Sequence, residues 1–172
     1  MSNYERTTRE CTIDQLRPEL QQAFRNYFAA RKLTELDEAS LRCCETSSYK
    51  KQGGWLSNWL DAGEETTTYT ALVLTPEALL WARSAEPARS EVRVIGASLF
   101  AIRVRTVTPL LTQDSGLEIS GLIEGSKAFM RGYIGLGKDL AAEKFCEEVD
   151  LAIEKVNPRP TRKFPSWMGG NR

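Results

Sequence analysis

Thr66-Thr67-Thr68-Tyr69-Thr70-Ala71-Leu72-Val73-Leu74, then Thr75-Pro76-Glu77-Ala78, then Leu79-Leu80-Trp81-Ala82-Arg83, is the stretch whose reading decides the fold. Its first run is rich in β-branched residues and sets Tyr69, Ala71 and Val73 on one face, the two-residue period of a strand. Pro76 fixes the backbone at the second position of a turn. Leu79 to Arg83 then returns as the partner strand, so the stretch is a hairpin. A second hairpin is read in Leu117–Ile123 and Ser126–Ile134, where Gly125 of Glu124-Gly125 can take the positive φ of a tight turn. Weaker strand signals lie in Glu38–Ser48, Glu91–Ile95 and Ser98–Val107, the last alternating Phe100, Ile102 and Val104 with Arg103 and Arg105. Together these predict about seven antiparallel strands.

The clearest helix lies C-terminal to the hairpins. Asp139 is set to cap it. Ala142, Phe145, Cys146, Val149, Ala152, Ile153 and Val156 form one apolar stripe, and acids fill much of the remainder. Asn157-Pro158 ends it, because the residue before proline disfavours helix. One stripe means one buried face, so this helix must lie across something flat or concave. At the N-terminal side, residues up to Glu10 are polar and read as loose. Thr12 and Gln15 have capping-box spacing, and Ile13, Leu16, Leu20, Phe24, Tyr27 and Phe28 follow at helical steps. Pro18 predicts a restart after a short first turn. Residues 1–37 are therefore read as an extension with an amphipathic helix, 38–156 as the domain, and 157–172 as a tail. An N-terminal stripe larger than its own domain covers would pair in a homodimer.

Acids and bases balance at 23 each, so no global field recruits nucleic acid or membrane. The balance is local in origin: Arg159, Arg162, Lys163 and Arg172 make the tail +4 and leave the rest at −4. Histidine is absent, which removes the commonest general base and metal ligand together. Ser-His and Cys-His hydrolases and most zinc enzymes are thereby excluded. Cys11, Cys43, Cys44 and Cys146 show no Cys-x-x-Cys spacing, and Cys43 and Cys44 would point to opposite faces of one strand. Reduced thiols in a cytoplasmic protein are the expectation. No secretory signal and no run of ~20 apolar residues is seen.

The order of helix, about seven short strands and one terminal helix resembles the pleckstrin-homology-like superfamily, within it the bacterial and GRAM-like branches. Thr70-Ala71-Leu72-Val73-Leu74-Thr75-Pro76-Glu77-Ala78-Leu79-Leu80-Trp81 looks like its strand–turn–strand with an apolar pair and an aromatic. Gly116-Leu117-Glu118-Ile119, Phe129, Tyr133-Ile134-Gly135 and the Phe145 helix look like its last strands and capping helix. The resemblance covers roughly Leu41 to Val156. It implies an α+β, mainly β fold: two bent sheets in a partly open barrel plugged by the terminal helix. It also implies binding of headgroups, peptides or proteins, or a scaffold role. The basic motif of the lipid-binding members is reduced here to Lys50-Lys51.

Three stretches are candidate contact sites. In the Lys50–Leu60 segment, Trp55 and Trp59 would share a helical face beside Lys50 and Lys51, an interfacial anchor or protein hot spot. Packing onto the domain is the competing account. The tail joins Arg162 and Lys163 to Phe164 and Trp167 among prolines, which suits a linear motif. Looseness, or docking on its own domain, competes with that. Arg103, Arg105, Lys127 and Arg131 could form a phosphate-binding patch, against cross-strand pairing with acids such as Glu91 and Glu118. Gly132, Gly135 and Gly137 lack dinucleotide-fingerprint spacing.

These features predict a non-enzymatic interaction module without cofactor or metal, binding a protein partner through Trp55, Trp59, Phe164 and Trp167. The alternative is weak peripheral binding to anionic membrane lipid through Lys50, Lys51, Trp55 and Trp59. A small-ligand carrier or enzyme would need Glu118, Arg131 and Tyr133 to converge in a barrel pocket.

Overall fold

Residues Ala71 to Leu74 and Leu79 to Leu80 are apolar without a break, and strands with no polar face must be covered on both sides. The computed structural model, which describes residues 4–33, 41–50, 67–86, 91–107 and 115–158, provides that cover. Strands β1 (Tyr4–Glu10), β2 (Arg42–Lys50), β3 (Thr67–Leu74), β4 (Ala78–Glu86) and β5 (Val94–Ser98) form one antiparallel sheet in sequential order. Strands β6 (Ile102–Val107), β7 (Ser115–Leu122) and β8 (Phe129–Leu136) form a second. Helix α1 (Pro18–Ala30) follows β1, and α2 (Leu140–Val156) closes the described chain.

The first sheet is the middle layer. One face carries Cys43, Ala71, Val73, Leu80 and Ala82 against Leu20, Phe24 and Phe28 of α1. The other carries Cys44, Leu72, Leu74 and Leu79 against Leu117, Ile119 and Leu136 of the second sheet and Phe145 and Val149 of α2. Each fully buried Leu or Phe contributes about 1.5–3 kcal/mol, and both faces of the hairpin draw on that term. The architecture is mainly β, two antiparallel sheets with a C-terminal helix, as the sequence indicates.

The register of the hairpin is the one its sequence dictates, with Leu74 opposite Leu79. The Thr75 hydroxyl accepts the Ala78 amide at 2.9 Å and so closes the turn. Gly125 adopts φ +77° between β7 and β8. Asp139 accepts the Ala142 amide at 3.0 Å and caps α2. Cys43 and Cys44 divide between the two cores. The restart at Pro18 is present after a short helical turn over Ile13–Gln15.

Two expectations are corrected. Residues Tyr4–Glu10 are not loose: they pair with β2 along their length, so the described residues hold eight strands. Only Thr8 of β1 is buried, which is why a polar edge strand left no apolar signal. Phe100 does not belong to an apolar face of β6; it lies in the β5–β6 corner and is 64% exposed. The apolar stripe of α1 packs on its own sheet. At the corner, Gly121 has φ +149° and a Cβ there would strike the Ala101 carbonyl. That carbonyl accepts the Leu122 amide at 3.1 Å, so glycine lets the corner approach β7.

Polar links lock the layers. Thr8 Oγ1 lies 2.8 Å from Thr46 Oγ1 and accepts the Gly137 amide at 2.8 Å. Asp139 also accepts the Thr8 amide at 2.7 Å, tying the start of α2 to β1. On the opposite face, Glu45 is 6% exposed and accepts Arg9 Nε at 3.0 Å and the Arg17 amide at 3.1 Å. It joins β2, β1 and the entry to α1.

Candidate functional site

A strand at a sheet edge leaves alternate backbone groups without a ladder partner. Among the described residues β6 pairs only with β7, and α2 packs beside it. The cleft between them has a pocket at either end.

The first pocket, of about 270 Å³, is lined by Thr106 and Val107 of β6, by Glu143, Cys146, Glu147 and Asp150 of α2, and by the ends of β7 and β8 with one cation, Lys138. The second, of about 950 Å³, is lined by Ile102, Arg103 and Val104 of β6, by Ile153 and Val156 of α2, and by Phe100, Phe129 and Pro158. Val104 to Thr106 is one same-face step on a strand, and Asp150 to Ile153 one on a helix. The pockets therefore lie at the two ends of the β6–α2 contact.

The two ends differ in character. Glu143, Glu147 and Asp150 stand on one helix face, and no described cation pairs with them. The Thr106 hydroxyl donates to Asp150 at 3.2 Å, closing the wall. Beneath them, burial followed by the Asp150 charge pushes the Cys146 thiol up to about 11, so it stays protonated and serves as packing. At the other end Phe100 and Phe129 are 64% and 71% exposed, an apolar lip beside Arg103. Large exposed aromatics grouped at a cleft mark interaction surfaces.

The sequence candidates fare differently. Lys50 is exposed at the end of β2. Lys51, Trp55, Trp59, Arg162, Lys163, Phe164 and Trp167 lie outside the described residues. The basic face of β6 and β8 is not a free patch: Glu118 of β7 pairs with Arg131 and lies 3.5 Å from Arg105. Cross-strand pairing is thus the observed account for these two, while Glu91 pairs with Arg93 on its own segment. Glu118, Arg131 and Tyr133 do come together, but on the outer face of the second sheet rather than in a barrel interior; the Tyr133 hydroxyl donates to the Ser115 carbonyl at 2.7 Å. Sequence reasoning missed the groove because Glu143 and Glu147 look like an ordinary solvated helix face. Phe129, opening a strand that carries Gly132 and Gly135, was the available signal.

No described group of three or more Cys, Asp or Glu side chains is arranged to hold a metal. No described helix is long and apolar enough to cross a membrane. No protein-family model, curated protein or solved structure matches the chain.

Proposed function

We propose that the chain is a non-enzymatic interaction module of pleckstrin-homology-like fold. The order of β2–β5, then β6–β8, then a terminal helix supports that fold reading, with β1 and α1 added to the first sheet. Within that class, its ligand is an extended basic–aromatic peptide seated in the β6–α2 groove. The observation that carries this reading is the edge of β6, unpaired among the described residues, running beside α2 with a pocket at each end. An extended segment adds to such an edge through backbone hydrogen bonds, and flanking pockets select its side chains. Glu143, Glu147 and Asp150 call for Lys or Arg at one end. Phe100, Phe129 and Val156 call for an aromatic or aliphatic anchor at the other. The chain's own tail has this composition in Arg162, Lys163, Phe164 and Trp167, and it departs from Pro158 at the aromatic lip.

The test is a fluorescence-anisotropy titration of the full chain with a labelled peptide bearing two basic and two aromatic residues. Salt-sensitive binding is expected, weakened about tenfold by Glu143→Lys with Glu147→Lys, a loss of about 1.4 kcal/mol. An acidic peptide of equal length should not bind. Equal affinity of native and charge-reversed chains would remove the groove as the site.

A further inference from the structure

Cys11 follows the last residue of β1, and Cys43 lies near the start of β2. The register that sets Glu10 opposite Cys44 continues one step to set Cys11 opposite Cys43. The Cys11 amide donates to the Cys43 carbonyl at 3.1 Å. Their thiols meet on the α1 side of the sheet, Sγ to Sγ 3.6 Å. This is contact without a bond, and both cysteines are free. Closing it to a disulfide needs rotation about the side-chain bonds and a small approach of the strands.

The pair differs from the other two cysteines. Cys44 is 1% exposed inside the main core, and burial pushes its thiol well up. Cys11 is 9% exposed, at the end of an edge strand where the chain turns away. A hydrogen bond from the Cys43 thiol, helped by the Arg9 guanidinium, holds the Cys11 thiol below its ordinary range. Two thiols in contact, one of them held below its ordinary range, are the arrangement of a reacting and a resolving cysteine.

We infer that Cys11 and Cys43 are a site of reversible oxidation, closed to a disulfide by peroxide and reopened by dithiols. The Cys11 thiolate attacks one peroxide oxygen; the O–O bond breaks, hydroxide leaves and takes a proton to become water, and Cys11 is left as a sulfenic acid. The Cys43 sulfur then attacks the Cys11 sulfur. The S–O bond breaks, and the departing hydroxide takes the Cys43 proton as a second water. Two thiols lose two electrons and one peroxide gains them. The product ties β1 to β2 and encloses α1 in a covalent ring running from residue 11 to 43. The clamp is independent of the groove and stands whether or not a peptide binds there.

The full native chain, treated with a small excess of hydrogen peroxide and then alkylated, tests this. Before alkylation the intact mass should fall by two hydrogens, after it the oxidised chain should carry two fewer alkyl groups than the reduced one, and peptide mapping should link Cys11 to Cys43. The melting temperature should rise on the order of 10 °C and return with dithiothreitol. The Cys44→Ala, Cys146→Ala double variant should behave as the native chain, and Cys11→Ser should lose the two-hydrogen change. No loss of hydrogens in the native chain, a link through Cys44 or Cys146, or oxidation of Cys11 that leaves Cys43 free to alkylate would each overturn the inference. Mapping of the native chain decides it even if Cys11→Ser fails to fold.

Discussion

Replacing Asp139 with alanine removes two bonds at once. One is the cap on the Ala142 amide, at 3.0 Å. Loss of a helix N-cap costs about 1 kcal/mol. The other is the carboxylate's bond to the Thr8 amide, at 2.7 Å across the join between α2 and β1. A hydrogen bond to a charged group contributes about 1.5–3 kcal/mol. Asp139→Ala should therefore destabilise the fold by about 3 kcal/mol, a fall of roughly 9 °C in melting temperature for a chain of this size. Asp139→Asn keeps one accepting oxygen and turns a donor toward the other amide, so about half the loss is expected. Urea denaturation followed by circular dichroism measures both. The change should appear in the midpoint with the slope unchanged. If Asp139→Ala costs less than about 0.5 kcal/mol, the range of an ordinary surface substitution, α2 is held by packing alone and the polar join is incidental.

Other outcomes follow from the same contacts. Glu45→Ala should cost about 2 kcal/mol in urea denaturation because it leaves the Arg17 amide without its acceptor. Arg9→Ala should cost at least as much, since it leaves the Glu45 carboxylate, 6% exposed, without its cation. Gly121→Ala should lower stability by about 2 kcal/mol, read in the same assay, because a Cβ collides with the Ala101 carbonyl at positive φ. Burial, and then its bond to Glu124, pushes the Tyr27 hydroxyl up to about 12. Below its unfolded value near 10 that stabilisation is complete, and it is lost as pH rises through about 12. Melting curves of Tyr27→Phe should therefore decline less steeply than those of the native chain over that window.

The parts of the fold written in short-range chemistry were legible. The Thr75-Pro76 turn, the Gly125 turn, the Asp139 cap and the Asn157-Pro158 stop each act within a few residues, and each stands where its chemistry puts it. β1 was not legible because its stabilisation comes from pairing with β2, thirty or more positions away, and only Thr8 is buried. The exposed face of β1 is charged at Arg9 and Glu5, as solvated termini also are. The position of α1 was half legible: its stripe announced a buried face, but not that the face would meet the outer side of the first sheet. The groove was hidden for a different reason. Its walls come from residues 100–107, from β7 and β8 and from 142–158, and only the fold brings Glu147 and Phe129 to the two ends of one helix–strand contact.

The most direct measurement is an amide-resolved NMR titration of the full chain with the basic–aromatic peptide. Shift changes should concentrate on Ile102–Val107 and on the face of Leu140–Val156 that carries Glu143, Glu147 and Ile153, with Arg103 or Arg105 amides gaining protection from exchange as the peptide pairs with β6. Changes centred instead on α1 and the outer side of the first sheet, or none at saturating peptide, would contradict the groove as the binding site.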